Sequence, residues 1–227
     1  MPDKNGDINT ACITGTVAKA ADRYAMDVMG LKSLTLMETA SSKIAEYVMK
    51  HFPLSHKISV LCGVGNNGAD GVCASRILLR KGYQPHVYIV GNLEKASWEF
   101  LYQLCHFQQA GGAVTMYRPN TLPDDDILID GIFGIGLHRE IAGDYRFFIE
   151  EANRRRHGFV LAIDAPSGIN TDTGALMGCG IKADVTITFG RNKTGLVCGA
   201  GQKLAGQVLV EDIGIPDEAY IEAKTHS

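Results

Sequence analysis

The chain has 227 residues, of which 45% are hydrophobic and 21% charged, and its formal net charge is -3. This is the balance of a globular protein that buries a full core, and the length suits one large domain. The near-neutral charge and the absence of a basic patch argue against nucleic-acid binding. No run approaches the ~18 apolar residues of a membrane helix, and the N-terminus lacks a signal peptide's apolar core. With no C-x-x-C pair among its six cysteines, we expect a cytoplasmic protein.

The predicted elements alternate between helices and strands. Residues 17–50 predict two helical stretches separated at Gly30, a residue type that commonly follows a helix end. Later helices are predicted over 72–81, around Trp98, Leu101 and Leu104, and over 145–156. Strands are predicted over 58–62, 85–90, 113–117, 126–130, 159–164, 184–189 and 207–210.

This alternation indicates an α/β fold with a mainly parallel sheet covered by helices on both faces and with right-handed crossovers. No Pro/Ser-rich linker or internal repeat divides the chain. We expect a flexible N-terminus over 1–17, one domain over 18–218 and a C-terminal tail over 219–227.

Polar residues follow three of the apolar strands at their carboxyl ends. They are the Asn-Asn-Gly-Ala-Asp turn that starts at Asn66, then Asp130, then Asp164 with Ser167. Ligands of open parallel sheets bind beyond this edge. Each residue alone is explained as well by a turn or a cap. Three such ends together favour a shared functional site.

Two glycine-rich loops are candidate phosphate sites. The first, from Gly63 to Gly68, matches G-x-G-x-x-G, but the next strand ends without the acidic residue that a dinucleotide-binding fold places on the ribose. This loop therefore favours a nucleotide-like ligand without conventional hydride transfer. The second loop, 134–140, contains Arg139, which suits a phosphate, although an exposed surface loop explains it equally well. His138 is a candidate general base or an exposed loop histidine.

Asp164 follows a very apolar strand, so we expect a partly desolvated carboxyl group that keeps some acid form near neutral pH and suits general acid chemistry. The alternative is a structural cap of the turn at Pro166. Asn, Asp and Ser oxygens with few formal charges suit a monovalent hard cation. We expect the aspartates of 124–126 to form a solvated loop, and Glu38 either reaches the crevice or points outward.

Several motifs in a fixed order resemble the NAD(P)HX epimerase family, also called the YjeF N-terminal domain, from about Ala20 to Pro216. The motifs are Asp-Arg-Tyr-Ala-Met at 22–26, Leu-Met-Glu-Thr-Ala at 36–40, Cys-Gly-Val-Gly-Asn-Asn-Gly-Ala-Asp-Gly at 62–71, Asp-Gly-Ile-Phe-Gly-Ile-Gly-Leu at 130–137, Ala-Ile-Asp-Ala-Pro-Ser-Gly at 162–168, Ala-Asp-Val-Thr-Ile-Thr-Phe-Gly at 183–190, Lys-Thr-Gly-Leu at 193–196 and Asp-Ile-Gly-Ile-Pro at 212–216. Ala69 and Ala165 stand where the family more often has glycine and isoleucine. Neither change removes a functional group.

The resemblance implies a Rossmann-like three-layer αβα sandwich, usually a homodimer, that interconverts the S and R epimers of hydrated NADH and NADPH. It implies that Asp164 is catalytic and that K⁺ is held by Asn67, Asp130 and Ser167. The residues that would contact NADHX or NADPHX are Asn66, Asn67, Gly68, Ala69, Asp70, Gly134, Ile135, Gly136, Leu137, His138, Arg139, Glu140 and Asp164. In the family this domain is often fused to an ADP- or ATP-dependent dehydratase, which is therefore an expected partner.

Our mechanistic hypothesis at this point is that Asp164 donates a proton to the 6-hydroxyl of the hydrated ring and that water returns on the other face. A catalytically silent nucleotide-binding or scaffold module of the same fold is the alternative. The complete polar set at Asn67, Asp130, Asp164 and Ser167 argues against it. An NAD-dependent oxidoreductase is the weakest reading.

Overall fold

The computed structural model describes residues 12–155 and 158–225. Its seven strands form one sheet in the order β3-β2-β1-β4-β5-β6-β7, and every pairing between them is parallel. The strands are β1 Ile58–Cys62, β2 Pro85–Ile89, β3 Ala113–Met116, β4 Ile127–Gly131, β5 Phe159–Ile163, β6 Val185–Phe189 and β7 Gln207–Glu211. The predicted α/β fold is confirmed. Strands β2 and β3 lie on one side of β1, and β4 to β7 lie on the other, so the strand order reverses between β1 and β4. Doubly wound folds bind ligands at this reversal.

Seven α-helices accompany the sheet among the described residues. They are α1 Gly15–Asp27, α2 Ser33–His51, α3 Asn66–Arg80, α4 Trp98–Gln109, α5 Gly143–Arg154, α6 Gly199–Leu204 and α7 Asp217–Thr225. Helices α2, α3 and α4 cover one face, where Ile44, Val72 and Phe100 pack on the strands. Helix α5 covers the other face through Phe148 and Ile149. This is the expected three-layer sandwich.

Helices α1 and α7 pack against each other beside the sandwich. Ala21 and Ala25 of α1 meet Ala219 and Ala223 of α7, and these small side chains are buried. The predicted C-terminal tail is therefore helical up to Thr225. At the other end, Ile13 pairs with Lys193 and α1 begins at Gly15, so residues 12–17 are built into the fold. The rest of the predicted flexible N-terminus, 1–11, lies outside the described residues.

Helix α3 begins at Asn66, six residues before the predicted start at 72, so the predicted Asn-Asn-Gly-Ala-Asp turn is its first part. Glycine disfavours a helix, but here close packing requires it. A Cβ at Gly68 would lie 1.8 Å from the carbonyl oxygen of Gly63, and one at Gly71 would lie 3.0 Å from Cys62 Sγ. Tertiary packing thus overrides the local preference. None of the helices in the described ranges is long and apolar enough to cross a membrane.

Candidate active site

A cavity of about 680 Å³ opens at the carboxyl edge of the sheet. The strands that end there, β1, β4 and β5, are direct neighbours, as the convergence of their polar ends requires. The cavity is lined by the first turn of α3, the loop after β4, Asp164 after β5, and the side of α1 that carries Asp22. Predicted site residues that line it are Asn66, Asn67, Asp70, Gly134, Ile135, Gly136, Leu137 and Asp164.

Asp164 is held in an unusual backbone conformation. Its φ is +64°, which costs a non-glycine residue energy and is found mostly at functional sites. Its N–H donates to the Ile187 carbonyl oxygen at 2.7 Å. This conformation presents the carboxyl group of Asp164, a residue that is only 8% exposed, to the cavity.

The Asp164 carboxylate has a lysine partner. Its Oδ1 accepts from Lys193 Nζ at 2.8 Å and from Thr188 Oγ1 at 3.0 Å. All three residues are buried. Oδ2 has no hydrogen-bond partner among the described residues and lies on the side of Gly134, whose Cβ position is 3.2 Å away. The arrangement is that of an ionised carboxylate in which Oδ1 accepts two hydrogen bonds from the protein and Oδ2 is available to a ligand.

Beneath the cavity, Asp130 and Ser167 form a closed hydrogen-bonded pair. Asp130 Oδ1 accepts from Ser167 Oγ at 2.5 Å, and Oδ2 accepts from the Ser167 N–H at 2.7 Å. Oδ1 also accepts from the Ile132 N–H, while Ser167 Oγ accepts from the Phe133 N–H at 2.9 Å. Burial raises the pKa of Asp130 to about 6, although these hydrogen bonds lower it. The pair anchors the loop that forms one cavity wall.

Asn67 lies close to both features. Its backbone oxygen is 3.1 Å from the Cβ position of Gly131, next to Asp130, and its Oδ1 is 2.8 Å from the Cβ position of Gly134. Its Nδ2 is buried and has no hydrogen-bond partner in the described part of the chain. Such an atom is costly, and turning the amide over would put an oxygen in its place.

The side-chain oxygen atoms of Asn67, Asp130 and Ser167 fit a monovalent cation. One carboxylate, one hydroxyl and one amide supply oxygen with a single formal charge, which is a weak set for a divalent ion. A cation would also offset the desolvation that raises the Asp130 pKa. In the ranges 12–155 and 158–225, no group of three or more His, Cys, Asp or Glu side chains could hold a metal ion.

Two further carboxyl groups line the cavity. Asp22 comes from α1, where burial raises its pKa to about 6, with Lys193 lowering it and Asp164 raising it. Asp70 comes from α3, and burial raises its pKa well above its usual range, with Asp164 and Asp22 raising it further. The cavity therefore gathers three carboxyl groups around the single buried ammonium of Lys193.

The second glycine-rich loop divides into two parts. Leu137 is buried, and Ile141 donates its N–H to the Met177 carbonyl oxygen at 3.0 Å, which draws the chain away from the cavity. His138, Arg139 and Glu140 lie between these two anchors, are exposed, and do not line the cavity. Gly68 and Ala69, also predicted as substrate residues, are buried in α3 outside the lining.

The start of α3 offers free backbone donors. Its N-cap is Gly65, with no side-chain capping hydrogen bond, and Gly63, Gly65 and Asn66 all line the cavity. Unsatisfied N–H groups at a helix N-terminus attract anions. Close packing keeps this turn compact, since a Cβ at Gly63 would lie 2.4 Å from the Ile132 carbonyl oxygen.

Other candidate residues have structural partners. Glu38 makes an ion pair with Arg76 and accepts from Cys73 Sγ at 3.2 Å. Asp125 accepts from Ser59 Oγ and Asp126 from the Lys57 N–H, so these two aspartates of the predicted solvated loop contact the amino end of β1.

Sequence reasoning missed Lys193, Asp22, Lys19 and Arg23, which all line the cavity. Lys193 begins the Lys-Thr-Gly-Leu motif at 193–196, and this part of the family resemblance was the only sign of its role. Asp22 and Arg23 begin the stretch Asp-Arg-Tyr-Ala-Met at 22–26, which also belongs to the resemblance, but no role was predicted for them. Lys19 carried no signal, because its place depends on how α1 packs.

The comparisons with known proteins agree with this geometry. A model of the YjeF-related protein N-terminus family matches residues 33–195, which is more than half of the chain. The chain belongs to this family. A family relative, named NAD(P)H-hydrate epimerase, from Limosilactobacillus fermentum is 43% identical over 202 residues, covering 88% of this chain and 95% of that protein. A relative of the same name from Leuconostoc citreum is 33% identical over 204 residues, covering 89% and 90%.

A solved structure supports the fold independently. The yeast protein titled ynu0, YNL200c superposes with a TM-score of 0.78 at 20% identity, covering 94% of this chain and 93% of that one. A protein of low sequence identity therefore shares the fold of this chain.

Proposed function

We propose that this chain is an NAD(P)H-hydrate epimerase, an isomerase that interconverts the S and R epimers of hydrated NADH and NADPH for nucleotide repair. The observation that carries the proposal is the cavity at the β1/β4 reversal, where the Asp164 carboxylate, the Asn67 amide and the N-terminus of α3 meet. The relatives that carry this name cover nearly the whole chain, which supports the same activity here.

The reaction inverts one carbon, C6 of the reduced ring, which carries a hydroxyl group and the ring nitrogen N1. The Asp164–Lys193 ion pair favours a base over the acid that we predicted from sequence. Asp164 Oδ2 accepts the hydroxyl proton, the C6–N1 bond breaks with its electron pair on N1, and C6 becomes an aldehyde. Rotation about C5–C6 presents the other face, the C6–N1 bond re-forms, and Asp164 returns the proton to the oxygen.

The phosphates need positive partners in a cavity rich in carboxylates. Among the described residues that line it, the basic ones are Lys19, Arg23 and Lys193. Lys193 is committed to Asp164, whereas Lys19 and Arg23 are exposed and stand one turn apart on α1. We assign these two side chains and the α3 N-terminus to the diphosphate and any ribose phosphate.

We assign K⁺ to Asn67, Asp130 and Ser167, because their oxygen donors and the unpartnered Asn67 amide suit it. When bound, the ion would supply positive charge at these oxygen atoms. A homodimer, a cytoplasmic location and an ADP- or ATP-dependent dehydratase as partner remain expectations from the resemblance. Sizing in solution tests the first of them.

Proton NMR of a freshly prepared single epimer, with and without the protein, tests the activity. We expect the protein to bring the epimers to equilibrium faster than buffer alone, and Asp164→Asn to lose about 10²–10⁴-fold of that acceleration. A folded wild-type protein that leaves the epimer ratio at the buffer rate would favour the silent scaffold module.

Oxygen exchange separates the two chemical routes. In H₂¹⁸O, the predicted departure and return of water incorporates label at each inversion, whereas ring opening by a base retains the original oxygen. We expect inversion to exceed label incorporation, measured by mass spectrometry and corrected for the protein-free rate. Equal rates would return Asp164 to the role of acid.

A further inference from the structure

Lys193 is one of the most deeply buried charged residues of the described chain, with 2% of its surface exposed. Its ammonium donates to Asp164 Oδ1, to Thr188 Oγ1 and to the Phe189 carbonyl oxygen, each at 2.8 Å. An ammonium group has three N–H donors, so all of them are used within the protein. The burial of such a charge is tolerated only with this degree of pairing.

The Lys193 backbone is fixed as firmly as its ammonium. Ile13, ahead of α1, donates to the Asn192 carbonyl oxygen at 2.9 Å and accepts from the Thr194 N–H at 2.8 Å. The N-terminal segment thus clamps both neighbours of Lys193. Thr188, at the end of β6, is fully buried and bonds to both members of the ion pair. Three separate segments therefore converge to hold one carboxylate oxygen.

The consequence falls on the other oxygen of Asp164. With Oδ1 saturated by two donors, the plane of the carboxylate is set, and Oδ2 faces the Gly134 wall of the cavity. Without the ammonium, the buried Asp164 carboxylate would lose its ion-pair partner. Oδ1 would keep only the hydrogen bond from Thr188 Oγ1, so the carboxylate would be free to rotate.

We infer that Lys193 is the positioning residue of this active site: it holds Asp164 as an ionised base and aims Oδ2 at the 6-hydroxyl of the substrate. Because its own donors are all engaged, it acts through Asp164 and not on the substrate directly. The inference rests on the proposed epimerase activity and goes beyond it by assigning a second residue.

Chemical rescue tests the inference. Lys193→Ala opens a space beside Asp164 that ethylammonium can enter. We expect kcat to fall by about 10²-fold or more, with KM within about 3-fold of wild type, and added ethylammonium to restore at least a tenth of the lost kcat. The matched control is Lys182→Ala, which removes an exposed lysine outside the cavity. Its kcat should equal that of wild type, with or without ethylammonium. A near-normal kcat in folded Lys193→Ala overturns the inference, as does rescue that never exceeds the control.

A double variant covers the case in which Lys193→Ala does not fold. Lys193→Met combined with Asp164→Asn removes both charges, so no unpaired charge stays buried. If Lys193 acts only through Asp164, the double variant has the kcat of Asp164→Asn within about 3-fold. A further large loss in the double variant contradicts the inference. Wild-type protein assayed alongside separates the two claims: an inactive wild type overturns the proposed function and this inference together, whereas an active wild type with an active Lys193 variant overturns the inference alone.

Discussion

Gly134→Ala is a direct probe of the cavity wall. A Cβ added at Gly134 would lie 2.8 Å from Asn67 Oδ1 and 3.2 Å from Asp164 Oδ2, where ordinary contacts begin at 3.4 Å. Asp164 cannot yield easily, because Lys193 and Thr188 hold its other oxygen. The Asn67 amide must therefore move by about 0.6 Å, which is the difference between 3.4 and 2.8 Å.

That displacement sets the expected loss. A misplacement of about 1 Å, even from a mutation away from the reacting atoms, can cost ~10²-fold in rate, so a 0.6 Å shift of the Asn67 amide corresponds to about 10-fold in kcat. Gly134 does not have a positive φ, so alanine fits the backbone, and we expect the free energy of unfolding to change by less than about 1 kcal/mol. The added methyl group touches catalytic groups rather than the core.

Gly136→Ala is the matched control, since it lies in the same loop, also lines the cavity, and has nothing within 4 Å of its Cβ position. Both variants are assayed by proton NMR of epimer equilibration, with urea unfolding to measure stability. We expect Gly136→Ala to lose much less kcat than Gly134→Ala, because its added methyl group would contact neither Asn67 nor Asp164. The reasoning is refuted if Gly134→Ala turns over at the rate of Gly136→Ala, or if its loss follows a loss of folding.

Three further outcomes are expected. Replacing Na⁺ by K⁺ at constant ionic strength should raise the wild-type free energy of unfolding, by about 2.7 kcal/mol at 100 times Kd, and Asn67→Ala should lose most of this gain in urea titrations. Reversing the charge of both Lys19 and Arg23 to glutamate should raise KM by about 10-fold at low salt with little change in kcat, and Lys182→Glu serves as the control; equal effects would place the phosphates elsewhere. The raised pKa of Asp22, about 6 against 3.8, means that the folded state binds the extra proton, so this group's contribution to stability is present below pH 3.8 and is lost as pH rises to about 6. As pH rises across that window, the free energy of unfolding of Asp22→Asn should therefore increase relative to that of wild type, by at most about 3 kcal/mol. A difference in urea midpoints that stays constant with pH would contradict this.

The strands were predictable because buried parallel strands are short apolar runs with clear ends. Predicted bounds for β1, β2 and β4 lie within one residue of those observed. Helix α3 was placed too late, because two glycines in its first half oppose a helix locally. The approach of Gly68 to the Gly63 carbonyl oxygen explains the first, and that of Gly71 to Cys62 Sγ explains the second. A local sequence pattern does not reveal such contacts.

The site itself was predictable only in part, for a similar reason. Asp130, Asp164 and Ser167 follow strands, so sheet topology brings them together. Lys193 contacts Asp164 from the loop after β6, which the N-terminal segment holds in place by a β-bridge. No rule of sequence spacing predicts a contact between residues so far apart along the chain. The polarity of a strand end can be read along the chain, but the partner that sets its charge state comes from elsewhere in the fold.

The cavity therefore has two walls of different origin. The sheet edge and α3 fall within residues 33–195, the part that matches the family model, and they carry the base, the proposed cation ligands and the anion-binding helix start. Helix α1 lies outside that range and contributes Lys19, Asp22 and Arg23, held in place by its packing on α7. Groups that touch the reacting carbon change the transition state, whereas charges at the rim act equally on substrate and transition state. Substitutions in the first wall should consequently lower kcat, and those at the rim of the second should raise KM.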